Sequence, residues 1–224
     1  MTQPTLIFDM DGVLVDSEVI ANAVFAEHLR RHGAPITDEA ATELFRGRRL
    51  DDCFALVDEH YKISLPSDFL AVMQAETFER LRAELKPVRH VEWALETLRP
   101  LQSCLASSSE PDKITLSLEV TGLDRFFPPE RRFSGAQVPR GKPHPDLFLL
   151  AADTLEVAPR DCLVIEDSPA GVAAARRARM TPLGYAERGH NMDALVEQGG
   201  ITFSDMRSLP AMINGVWTNL QRYR

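Results

Sequence analysis

Apolar and polar positions follow two rhythms along the chain, and the change from one to the other divides it. Leu6-Ile7-Phe8 is a short apolar run between Pro4 and Gly12 and predicts a buried strand. After Ser17 the apolar spacing lengthens to three and four and stays helical for about seventy residues. Ile20, Val24, Phe25 and Leu29 share one face of a first helix, which Gly33 stops. Thr37 is placed to cap a second, with Asp38 and Glu39 in the first turn, where carboxylates suit the helix dipole. Leu50, Phe54 and Val57 mark a third. Ser67 is read as the cap of a fourth, whose stripe is Leu70, Met73, Thr77, Leu81 and Leu85, and Lys86-Pro87 ends it. Helices with no strand among them predict an inserted four-helix cap over residues 18–86, with 1–17 and 87–224 forming the core.

From Pro87 onward helices and strands alternate. Val91, Leu95 and Leu98 belong to a helix, Cys104 to Ala106 to a strand that runs into Ser107-Ser108-Ser109, and Pro111 opens a helix stopped at Gly122. A weak strand near Phe133 precedes Gly141-Lys142-Pro143. A helix carrying Leu147, Phe148, Ala151 and Leu155 follows, then Cys162 to Ile165, the clearest strand after the first, ending in Glu166-Asp167. An alanine-rich helix, strands near Leu183 and Ile201, and a helix after Ser208 complete the count. Such alternation predicts an α/β fold, a Rossmann-like parallel sheet flanked by helices on both faces.

Composition narrows the class. The 224 residues suffice for one sizeable core with an insertion, and 44% hydrophobic with 26% charged is ordinary for a globular protein. A net charge of −8 argues against a nucleic-acid or anionic-membrane partner. No apolar run approaches the roughly 18 residues of a membrane span, and no basic-then-apolar leader is read. Cys53, Cys104 and Cys162 lie far apart and are expected to be buried free thiols, which suits the cytoplasm. His28 and His32 are four apart on one helix without an acidic partner between them, and read as a solvated face.

The candidate chemistry sits where strands end. Asp9 follows the first strand at its carboxyl end, where open α/β sheets place ligands, and Asp11 comes two residues later. If the strand continued, both carboxylates would share a face; a turn at Gly12 would let them converge from two sides. Acids held that close repel each other unless a cation or a shared proton stabilises them, which points to a magnesium site with one aspartate also a nucleophile. Asp-Gly is equally an ordinary turn signal. The same sheet edge should carry Ser107, Lys142, Glu166 and Asp167, and together they fit phosphoryl transfer. A carboxylate approaching a phosphate meets about 4 kcal/mol of repulsion per unit pair at ~4 Å and an effective dielectric near 20. A divalent ion and a lysine offset that repulsion, while hydroxyl and backbone N–H groups bind the remaining oxygens. Taken singly, Ser107 could be a strand-end turn, Lys142 a solvated loop residue and Glu166-Asp167 a helix cap. Lysine, however, occurs only four times among 25 basic residues.

Asp9-Met10-Asp11-Gly12-Val13-Leu14, Ser107, Lys142-Pro143 and Glu166-Asp167-Ser168 resemble, in this order and spacing, the motifs of the haloacid dehalogenase superfamily. The helical insert resembles the small cap of the branch holding β-phosphoglucomutase and many sugar-phosphate phosphatases. The resemblance implies that Asp9 is the nucleophile and Asp11 the general acid and base. It implies magnesium held by Asp9, the main-chain carbonyl of Asp11 and Asp167, with Glu166 behind them, and phosphate held by Ser107, Ser108 and Lys142. Dehalogenases and phosphonate-cleaving members lack an acid at Asp11, so phosphate-ester hydrolysis is the expected reaction, with a small phosphorylated metabolite as partner and a monomer or weak homo-oligomer as the state.

Two departures bear on the alternatives, a phosphosugar mutase and a non-catalytic phosphate binder. The mutase's cap histidine is replaced by Ala21 and its cap arginine aligns with Leu50, although Arg46, Arg48 and Arg49 lie beside it. Arg46 and Arg49 are the cap residues expected to bind substrate, since guanidinium groups grip carboxylates and phosphates bidentately. A binder, for its part, needs no nucleophile. The last motif's helix ends Ala-Gly-Met in the family, and Arg179 stands at the glycine, so that helix is expected to end differently.

Overall fold

The computed structural model describes residues 3–45, 50–189 and 191–222. In chain order its elements are β1 (Thr5–Phe8), α1 (Ser17–Arg31), α2 (Asp38–Phe45), α3 (Leu50–Tyr61), α4 (Phe69–Glu84), α5 (Val91–Leu98), β2 (Ser103–Ser107) and α6 (Pro111–Thr121). There follow β3 (Arg132–Ser134), α7 (Asp146–Thr154), β4 (Cys162–Glu166), α8 (Pro169–Arg177), β5 (Thr181–Tyr185), α9 (Met192–Glu197), β6 (Ile201–Phe203) and α10 (Leu209–Arg222). The chain divides into two compact units, residues 1–15 with 87–224, and residues 16–86.

In the first unit the strands form one parallel sheet in the order β3-β2-β1-β4-β5-β6. Strand order reverses between β1 and β4, and in such sheets the crevice outside the carboxyl ends at that point receives the ligand. Alternate side chains explain why the central strands are apolar throughout. Ile7, Cys104 and Val164 enter a core with Leu147, Phe148 and Ala151 of α7 and Ala174 and Ala175 of α8. Leu6 and Phe8 face the other way, and Phe8 meets Phe127 edge-on at 5.8 Å. Register aligns Phe8 with Ile165 and with Leu105, so Asp9, just past the end of β1, lies level with Glu166 of β4 and Ala106 of β2.

The second unit is helical, and its core is aromatic. Phe25 of α1 lies 4.8 Å from Phe45, 5.7 Å from Phe54 and 6.2 Å from Phe69 between ring centres. That cluster makes Phe69 rather than Leu70 the first inward residue of α4, while Met73, Leu81 and Leu85 of the expected stripe are buried. Leu70 is exposed, and Asp68 rather than Ser67 precedes the helix. His28 also departs from expectation: it is buried rather than solvated. Its imidazole meets Glu76 at 2.9 Å and stands edge-on to Phe69, so a polar ring is accommodated inside by hydrogen bonding. Thr37 does cap α2, its hydroxyl accepting the Ala40 N–H at 3.1 Å.

The end of α8 corrects another expectation. Arg179 adopts φ 62°, the left-handed conformation a glycine would supply. The Met180 N–H donates to Ala175 O and the Arg179 N–H to Arg176 O, both at 3.0 Å. This is the Schellman closure, formed without glycine. Burial of Met180 beside Ala175 in the sheet core holds the chain in that path.

Candidate active site

β1 ends in a tight turn that the sequence prescribes. The Asp9 N–H still donates to Ile165 O at 2.9 Å, and then Gly12 at φ 81° reverses the chain, with its N–H on Val15 O. Met10, Val13, Leu14 and Val15 are buried and anchor the turn. A Cβ at Gly12 would collide with the Asp167 carboxylate, so only glycine lets the β1 and β4 ends approach so closely. Of the two readings of Asp-x-Asp-Gly, the turn is the one observed.

Three buried charges follow from this approach. Lys142 donates to Asp9 Oδ1 at 2.5 Å, to Glu166 Oε1 at 2.8 Å and to Ala106 O at 3.2 Å, which uses all three ammonium protons. Its ammonium also stands 5.0 Å above the Phe148 ring. Glu166 is fixed from the other side, because its Oε2 accepts the Ser168 N–H at 2.7 Å and the Ser168 hydroxyl at 2.9 Å. Ser168 in turn caps α8 by accepting the Gly171 N–H at 3.0 Å. A Cβ at Gly171 would overlap Glu166 Oε1, so this glycine is the space the glutamate occupies.

Electrostatics follow from burial. Desolvation pushes the Asp9 carboxyl up to about 7; Lys142 opposes the rise, while Glu166 and Asp11 add to it. Burial works against the Lys142 ammonium, but Asp9 and Glu166 outweigh it and hold its pKa above the ordinary lysine range. The carboxylate oxygens of Asp9, Glu166 and Asp167 lie within 4.8 Å of one another. With one lysine against three acids, the cluster retains negative charge that a cation would neutralise. An all-oxygen donor set of this kind fits magnesium.

Asp11 faces a different set of partners. Its Oδ2 accepts the Ser109 hydroxyl at 2.7 Å and its Oδ1 pairs with Lys113 Nζ at 2.7 Å. Ser107 is buried at the β2 end, its hydroxyl accepting the Ser109 N–H at 3.1 Å, and Ser108 is exposed at the tip. Thus the structure brings Asp9, Lys142, Glu166 and Asp167 together, with Asp11 on the turn after β1 and Ser107 at the end of β2. Arg46, Arg48 and Arg49 lie outside the described residues.

Sequence reasoning missed Ser109 and Lys113. The signal was present, since Lys113 is another of the chain's rare lysines and sits in the first turn of α6. A helix that follows a parallel strand starts at the strand's carboxyl end, so its first turn borders the site.

Comparison with known proteins agrees with this geometry. Residues 6–184 match the haloacid dehalogenase-like hydrolases, and the chain belongs to that family. It is 27% identical over 206 residues to the 6-phosphogluconate phosphatase of Escherichia coli (strain K12), covering 92% of either chain. It is 30% identical over 200 residues to the phosphorylated carbohydrates phosphatase of Thermotoga maritima, covering 88% of this chain and 91% of that one. Among solved structures, a haloacid dehalogenase-like protein of unknown function from Agrobacterium tumefaciens superposes with a TM-score of 0.87 at 33% identity, covering 96% of this chain and 99% of that one.

Proposed function

We propose that the protein is a magnesium-dependent phosphatase acting on a small phosphorylated metabolite, a sugar or sugar-acid phosphate, through an aspartyl-phosphate on Asp9. The observation that carries this reading is the buried Asp9–Lys142–Glu166 trio beside Asp167, with the Asp11 carboxylate one turn away. A carboxylate nucleophile, a fixed cation, hard-oxygen metal ligands and a second acid are the parts that phosphoryl transfer requires.

In the first half-reaction Asp9 attacks phosphorus, the ester P–O bond breaks, and Asp11 gives a proton to the departing oxygen. In the second, Asp11 takes a proton from water, whose oxygen attacks phosphorus and frees both phosphate and Asp9. Lys142, already on Asp9, stands beside any phosphoryl group joined to it, and Ser107 borders the same pocket of charge. Asp9, Asp167 and the Asp11 carbonyl would hold the magnesium, which would supply neutralising charge for the phosphate. Ala21, exposed on α1, offers no polar group in place of the mutase histidine, which favours water as acceptor over a second sugar hydroxyl. The relatives named for 6-phosphogluconate and for phosphorylated carbohydrates support the substrate class. Three free buried cysteines suit a reducing cytoplasm, and no described helix is long and apolar enough to cross a membrane.

The experiment is phosphate release from a panel of sugar, sugar-acid, polyol and nucleoside monophosphates. We expect turnover on sugar or sugar-acid phosphates that stops in chelator, returns with magnesium and is inhibited by calcium, whose looser coordination misplaces the attacking oxygen. Full activity in excess chelator, or turnover of nucleotides alone, would refute the reading.

A further inference from the structure

Lys113 occupies a position that helix energetics disfavour. It stands in the first turn of α6, two residues after Pro111, where the helix dipole repels a cation. Its ion pair is with Asp11, the residue proposed above to reach the leaving oxygen. Unlike Lys142, which is 6% exposed and locked among three acceptors, Lys113 is 27% exposed and its partner Asp11 26%. This pair is therefore more open to an incoming molecule than the largely buried trio beside it.

Distances define what that molecule can offer. A general acid must come within about 3.2 Å of the oxygen it protonates. Lys113 Nζ is 2.7 Å from Asp11 Oδ1, which places the ammonium within roughly 6 Å of the leaving oxygen. One further charge-assisted hydrogen bond of about 2.8 Å extends the reach to roughly 9 Å. That span covers a carboxylate at the far end of a six-carbon chain. Asp11 has both carboxylate oxygens engaged, one by Ser109 and one by Lys113. A carboxyl group has about four lone-pair sites, so Asp11 can serve the leaving oxygen with Lys113 still beside it, and the flexible lysine can turn another N–H to the substrate.

We infer that Lys113 is a specificity-determining residue which binds an anionic group on the leaving portion of the substrate, so that the enzyme favours sugar-acid phosphates over neutral sugar-alcohol phosphates. The inference rests on the phosphatase reading and deepens it.

The test uses a matched pair, 6-phosphogluconate and glucitol 6-phosphate. They share the carbon chain and the reacting phosphate, and differ at the far carbon in carboxylate against hydroxymethyl. p-Nitrophenyl phosphate serves as a third ester. Wild-type protein should prefer the acid in kcat/KM by about tenfold or more, the scale of one hydrogen bond between charged groups. Lys113→Met should bring the ratio to near unity, mainly by raising KM for the acid, and Lys113→Arg should keep the preference. Lys113→Met lowering both esters in equal proportion would mean that Lys113 acts only through Asp11, and would overturn the inference. So would a wild-type enzyme indifferent to the two esters. Release from none of the three esters by folded wild-type protein would instead overturn the phosphatase reading, and this inference with it.

Discussion

Asp9 owes its chemistry to its surroundings. An aspartate at the end of a buried strand loses hydration, and burial with two neighbouring acids keeps its proton on until about pH 7 in spite of Lys142. If Asp9 holds magnesium as proposed, metal and proton compete for one carboxylate. Below about pH 7 magnesium must displace the proton, so its apparent affinity should fall by about tenfold per pH unit, and above that pH it should level off. The sign for stability is the reverse. Without metal, the folded carboxyl binds its proton more tightly than the unfolded one, so stability should decline as pH rises from about 4 to about 7. Calorimetric magnesium titration near pH 6 and near pH 8 checks the first statement, with close to one proton released per metal at the lower pH. An affinity independent of pH would contradict it. These residues were legible in the sequence because strand-end spacing places them. Lys113 carried a signal as a rare lysine in the first turn of α6, but its pairing with Asp11 depends on how that turn meets the turn after β1.

At the scale of elements, helix ends show where local rules and tertiary packing part. Gly33, Gly122 and Gly199 take φ values of 96°, 68° and 87° beyond α1, α6 and α9, while Glu156 and Arg179 do the same work at 55° and 62° beyond α7 and α8. A side chain in the left-handed region costs about 1 kcal/mol or slightly more, and both side chains are exposed, so neither gains core packing of its own to offset that cost. Arg179→Gly should therefore stabilise the protein by up to about 1 kcal/mol and raise Tm by about 2–4 °C, with activity unchanged. Thermal melting decides this, and a lower Tm would show that the arginine side chain contributes more than its backbone strain removes. The same balance explains Leu70 and His28. Periodicity identified α4 but not which adjacent apolar residue faces inward, because the Phe25 cluster chooses Phe69. For His28, a partner on another helix, Glu76 of α4, was invisible from a local window.

At the scale of the molecule, alternation of helix and strand predicted a parallel sheet, and handedness restricted the crossovers, yet the strand order β3-β2-β1-β4-β5-β6 emerges only from packing. That order makes β1 and β4 neighbours, and so turns two carboxylate pairs about 150 residues apart in sequence into one site. The glycines at 12 and 171 complete it, since each leaves the space that a strand-end carboxylate, Asp167 or Glu166, fills. The account as a whole stands on Asp9 as nucleophile, and Asp9→Asn tests it most directly. The substitution keeps shape and removes the attacking charge, while Glu166 and Ala106 still hold Lys142. Phosphate release measured with the best ester of the panel should fall by at least about a thousandfold, with the circular dichroism spectrum retained. A folded Asp9→Asn protein releasing phosphate within about tenfold of wild type would contradict covalent catalysis at this site.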